Sequence, residues 1–267
     1  MRLRLLALVL AGLCWPAAAT AAEPAALARA RALYNAANYD GAISAAATVR
    51  QQPQWADAAA LVIARSHLER FRLSPDPAEL AAARDTLSAI RADALAPRDQ
   101  LDLLIGLGQS LYLAGTFGAA AEIFDNALGR SSTLTAGERL LLLDWWATSI
   151  DREALTRPVD RRAPAFARIA GRMEEELRED PGGRVANYWL AAAARGAGDI
   201  DRAWGAALAG WVRATLSPDG QELRADLDRL VTAALVPERA RQRPVRDQPD
   251  AQAGLTAEWE AHKQQWK

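Results

Sequence analysis

Positions 104 to 128 read LIGLGQSLYLAGTFGAAAEIFDNAL, and the order of small and large residues there limits what the chain can fold into. Gly108, Gly115, Ala120 and Ala127 form a small set; Leu107, Leu111, Phe117, Phe124 and Leu128 form a large one. Small side chains let two helices approach closely, and large ones fill the space beside them. The pattern predicts an antiparallel helix pair that stacks on further pairs. Such a stack offers surface for binding, and the segment itself carries no reactive group.

The spacing of Gly108, Phe117, Ala120, Phe124 and Ala127 resembles the tetratricopeptide repeat, a unit of about 34 residues. A second copy carries Ala30, Tyr39, Ala42, Ala46 and Val49, with Pro53 near the closing proline, and a third carries Ala191, Gly198, Ile200, Ala203, Ala207 and Gly210. Two degenerate copies have Ala83, Leu87 and Ile90, or Ala167, Ala170 and Met173, in their second helices. The resemblance implies an all-α, right-handed solenoid of about five helical hairpins over residues 23–236. It also implies a concave groove lined by the first helix of each pair. Carried over position by position, Arg31, Tyr34 and Asn35 would face that groove from the first copy, Asp102, Ile105, Gln109 and Tyr112 from the best copy, and Tyr188, Ala192 and Arg195 from the third. This mixture of aromatic, amide and charged groups suits an extended peptide or a helix.

The first 22 residues read as a secretory signal peptide: Arg2 and Arg4, an apolar run from Leu5 to Trp15, then small residues up to a cleavage point at Ala21 or Ala22. The apolar run is too short for a stable membrane span. Cys14 is the one cysteine, and Leu13 stands where a lipobox requires a small residue, so lipidation is not expected. A periplasmic or secreted location follows, with no disulfide or thiolate metal site in the mature chain. Loss of Arg2 and Arg4 leaves 30 basic against 33 acidic residues, a balance that draws neither nucleic acid nor anionic lipid.

Elsewhere the helical runs are separated by breakers such as Ser74-Pro75-Asp76-Pro77 and Asp180-Pro181-Gly182-Gly183. Thr135 and Glu138 have capping-box spacing. Asn38 reads as the left-handed end of the first helix. The following run LLLLDWWATSI is apolar most of the way round, as suits a helix between neighbours. Trp145 and Trp146 point about 100° apart, so only one can be central core. Residues 237–254 hold one valine and no larger apolar residue, and are expected to be a flexible linker. A short amphipathic helix over 255–267 then places Trp259 and Trp266 on one face, available to cap the stack or bind a partner. Deleting residues 237–267 is expected to leave the helical fold largely intact.

Catalytic chemistry finds little support. His67 and His262 are far apart, and metalloprotease, nucleophile-elbow, phosphate-loop and paired-cysteine motifs are absent. Glu174, Glu175 and Glu176 point in different directions and form a solvated face. No catalytic residue, metal or cofactor is expected. The sequence points to a non-enzymatic scaffold binding another envelope protein or peptide. Two alternatives are a cell-wall enzyme with a buried carboxylate as general acid, and a small-ligand binder beside Trp145 and Trp146.

Overall fold

The computed structural model describes residues 23–130 and 133–267; the signal-peptide reading, with Cys14, Ala21 and Ala22, lies outside them. The described residues are all-α, with no strand. Helices α1 (Ala25–Asn35) and α2 (Tyr39–Val49) make the first hairpin, and α3 (Ala56–Leu73) and α4 (Pro77–Ser88) the second. They are followed by α5 (Pro97–Leu113) with α6 (Phe117–Leu128), α7 (Ala136–Leu155) with α8 (Ala163–Glu179), and α9 (Arg184–Gly196) with α10 (Ile200–Arg213). The chain ends in α11 (Gly220–Leu230), a π turn at Val231–Leu235, α12 (Val236–Ala240) and α13 (Gln248–Gln265). Each helix from α1 to α10 packs on its successor. Helix α3 also packs on α1 and α5, and α9 on α7 and α11.

Three hairpins turn in the same way. Ala37, Gly115 and Gly198 adopt positive φ angles of 57°, 76° and 83°. After each, Asn38, Thr116 and Asp199 return a backbone N–H to Leu33, Leu111 and Ala194, five residues back, at 2.9, 2.9 and 3.0 Å. This is the left-handed helix ending that satisfies the last carbonyls of the preceding helix. Asn38 is therefore not the left-handed residue: it is the N-cap of α2, its side chain accepting from Gly41 N at 3.0 Å. The turn itself falls on Ala37.

The small-and-large packing is present between α5 and α6. Phe124 is fully buried, and a Cβ added at Gly108 would come within 2.5 Å of its ring. Gly196 on α9 stands in the same relation to Phe166 on α8, at 2.3 Å. In α8 the buried side is Phe166, Ile169, Ala170 and Met173; Ala170 and Met173 of the degenerate copy are thus buried, and Ala167, read as a core alanine, is exposed. Thr135 and Glu138 form the capping box at the start of α7. Trp146 is 1% exposed and central to the core, and Trp145 is half-buried beside Tyr112 and Phe124.

The C-terminal segment differs from its reading as a flexible linker and a short helix. Pro237 lies just after the π turn, where the helical path from α11 runs on into α12, so the missing N–H falls at an existing irregularity of the helix. The last helix begins at Gln248, so only residues 241–247 lie outside α-helix between them. No described helix is long and apolar enough to cross a membrane.

Candidate functional site

The residues read as groove-lining do not all meet. Arg31, Tyr34 and Asn35 from α1, Leu61, Val62 and Arg65 from α3, Arg98 and Asp102 from α5, and Glu138 from α7 line a pocket of about 240 Å³. A smaller pocket of about 100 Å³ shares Tyr34, Arg65 and Glu138 with it and adds Glu69, Ile105, Gln109, Phe124, Leu141, Leu142 and Trp145. Only odd-numbered helices line the two, apart from Phe124 of α6, which reaches through from the core. Together they make one groove across the first helices of four successive hairpins.

Charge in the groove is organised as a network. The Arg31 guanidinium donates to both oxygens of Asp99, at 2.8 and 3.0 Å, and to Glu23 at 2.8 Å. Asp102, 5% exposed, forms an ion pair with Arg65 at 3.0 Å and accepts from Arg98 at 3.1 Å. Arg98 also bonds Glu138 and the Thr133 carbonyl, tying α5 to the start of α7. The Arg98 guanidinium, helped by the Thr135 backbone and hydroxyl, holds the Glu138 carboxyl down at about 2 against the opposing effect of burial. The Arg65 guanidinium lies 4.7 Å over the Tyr34 ring, and burial pushes the Tyr34 hydroxyl up. Fork-shaped pairs of this kind fix orientation as well as charge.

Tyr112 lies behind the groove, its ring 5.2 Å from Trp145 and 5.4 Å from Phe117. Tyr188 is elsewhere: with Asp144, Arg184, Val185, Asp226, Arg229 and Leu230 it lines a separate depression of about 400 Å³ between α7, α9 and α11. Arg195 is exposed and clamped on Glu238 of α12 at 2.7 Å. Burial raises the Asp151 carboxyl above its ordinary value, with Arg152 and Arg195 pulling it back. The groove residues missed from the sequence include Arg65, Arg98, Glu138 and Leu141. Helix α3 lies between two recognised copies, and the alternation of first and second helices makes it a first helix; that was the available signal.

The two tryptophans of the tail part company. Trp259 is fully buried, 5.3 Å from Trp211 and 6.3 Å from Trp204, with its indole N–H donating to Asp228 at 2.8 Å. Lys263 bonds the same carboxylate at 2.8 Å, and the His262 ring stacks on Trp259. Burial works to raise Asp228, but the bonds from Lys263 and Trp259 together outweigh it and hold the carboxyl low. Trp259 is thus core rather than a surface anchor. Trp266 is 43% exposed, because the helix ends at Gln265 and its backbone leaves the helical path there. Its carbonyl accepts from Trp211 at 3.1 Å and from Arg224 at 2.8 Å.

Among the described residues no cluster of three or more histidine, cysteine or acidic side chains is placed to hold a metal. Comparison with protein-family models, with curated proteins and with solved structures finds no match to this chain.

Proposed function

We propose that the chain is a non-enzymatic scaffold of the bacterial cell envelope, a tetratricopeptide-like solenoid of about five helical hairpins that binds a peptide or helix of a partner protein in its groove. The observation that carries this reading is the convergence of Arg31, Tyr34, Asn35, Asp102, Ile105 and Gln109 on two adjoining pockets, from positions that the repeat pattern assigns to one face. The common left-handed turn at Ala37, Gly115 and Gly198 supports a repeated unit. The periplasmic or secreted location rests on the N-terminal sequence alone.

The enzyme alternative calls for a carboxylic acid isolated in an apolar cleft. The two most buried acids of this region, Asp99 and Asp102, are instead held by guanidinium groups at 2.8 and 3.0 Å. Networks of that sort orient surfaces and supply no free general acid.

Photo-crosslinking in the producing cell tests the proposal. A photoreactive residue at Asn35 or Leu141, both exposed and both lining the groove, is expected to trap a protein or peptide adduct. The same residue at Val159 or Val245, exposed away from the groove, is expected to trap none. Equal labelling from all four positions would overturn the reading.

A further inference from the structure

The 100 Å³ pocket is the part of the groove where two polar atoms lack partners. Gln109 is 6% exposed and its Oε1 accepts no hydrogen bond; the Arg65 Nε, also buried, donates none. Buried polar groups are nearly always satisfied, so two orphans on residues that line one pocket call for an explanation. One is an acceptor and the other a donor. A peptide group offers the matching pair in its N–H and C=O.

The charged neighbours are already engaged: Arg65 Nη1 with Asp102 at 3.0 Å, Glu138 with Arg98, and Glu69 with Arg72 at 2.8 Å. No charge remains there to recognise a charged side chain. The other walls, Ile105, Phe124, Leu142 and Trp145, are apolar, and Leu141, 57% exposed, completes them. A cavity of ~150 Å³ lined by aliphatic and aromatic side chains holds a benzene molecule. The present pocket, about 100 Å³, matches one aliphatic side chain and is too small for an indole.

We propose that this pocket is the anchor subsite of the groove. It takes one neutral aliphatic side chain of a bound peptide (leucine, isoleucine or methionine). Rotation of the two side chains toward the pocket they line uncovers both atoms, and the adjoining backbone N–H of that peptide then donates to Gln109 Oε1 while its C=O accepts from Arg65 Nε. The inference rests on the groove reading and adds to it the identity of the anchor.

Panning a random heptapeptide library on the chain, then titrating the enriched peptides by fluorescence anisotropy, tests it. Enriched peptides are expected to share a fixed leucine, isoleucine or methionine and no fixed charge. Exchanging that residue for aspartate is expected to weaken binding at least ~10-fold, because a carboxylate would enter an apolar site. Gln109→Leu is expected to weaken binding about fivefold while raising the thermal midpoint, since it removes both a ligand contact and an unpaired buried acceptor. A purely structural residue would move both readouts the same way. Leu141→Glu, at an exposed position that leaves folding alone, is expected to weaken binding about 10-fold. Peptides with a fixed charged residue, or peptides insensitive to both variants yet blocked by Asn35→Trp in the larger pocket, would overturn the anchor and leave the groove standing. No enrichment, or binding indifferent to all three variants, would overturn both.

Discussion

A methyl group at position 108 would sit 2.5 Å from the Phe124 ring, which is itself fully buried and cannot retreat. Gly108→Ala is therefore expected to cost about 1–3 kcal/mol by overpacking, and Gly108→Leu more. Chemical denaturation with an unchanged slope would register it, and a neutral result would mean that α5 and α6 are not in close contact. The turn at Ala37 works in the opposite direction. Its φ of 57° is a conformation that an L-residue with a Cβ adopts at a cost, and the equivalent turns at positions 115 and 198 use glycine. Ala37→Gly is expected to stabilise the fold by about 1 kcal/mol. A destabilised variant would show that position 37 is not left-handed. The need for small residues is legible in the sequence because Gly108 and Phe124 repeat at helical spacing. The turn at Ala37 is not, since alanine gives no turn signal and the neighbouring Asn38 draws attention to itself.

Several helix boundaries between α1 and α10 follow from prolines and caps that act locally, as at Pro77, Pro97 and the Thr135–Glu138 box. The C-terminal elements obey a longer-range logic. Residues 237–254 lack the apolar content of a packed segment, yet Val236, Ala240 and Trp259 are buried and fix the chain on either side of residues 241–247. Trp259 anchors the docking of α13, filling the space between Trp204 and Trp211 with its N–H on Asp228. Trp259→Ala is expected to cost about 3–5 kcal/mol, as removal of a buried indole does. Deleting residues 237–267 should likewise lower the thermal midpoint, contrary to what composition suggests for an accessory tail. A midpoint within a degree of the parent for either change would show that α13 does not dock. Composition reports what a segment can bury by itself, and the partner surface here comes from helices some 50 positions earlier: Trp204 donates to Glu258 across a separation of 54.

Across the whole molecule, ion pairs such as Arg31–Asp99 and Arg98–Glu138 link one hairpin to another beside the apolar core, and this gives stability a dependence on pH. Glu138 is held at about 2 by Arg98, below the ordinary 4.5 that it regains on unfolding. A carboxyl depressed by folding contributes stability that is fully present above 4.5 and is lost as pH falls toward 2. Asp228, also held low, adds to the loss with the same sign. Glu138→Gln is expected to cost about 1 kcal/mol at pH 7, because its carboxylate is 33% exposed and water screens the pair. That difference should shrink between pH 4.5 and 2; a difference constant with pH would sink the argument. At this scale the site was partly legible. The residues of α1, and those of α5 apart from Tyr112, fell on one face as the repeat spacing implies, and Tyr188 and Arg195 did not join them. Arg195 is captured by Glu238, a pairing across 43 positions that no local pattern reveals. Arg65 and Glu138 entered the groove from helices whose repeat signature is weak, and Arg98 from the first turn of α5, ahead of its recognised repeat positions.

Hydrogen–deuterium exchange of the chain, with and without a groove-selected peptide, tests the central claim most directly. Slowed exchange confined to α1, α3, α5 and the first turns of α7 is the result expected. Protection centred on α2, α4 and α6, or on α13, would contradict it.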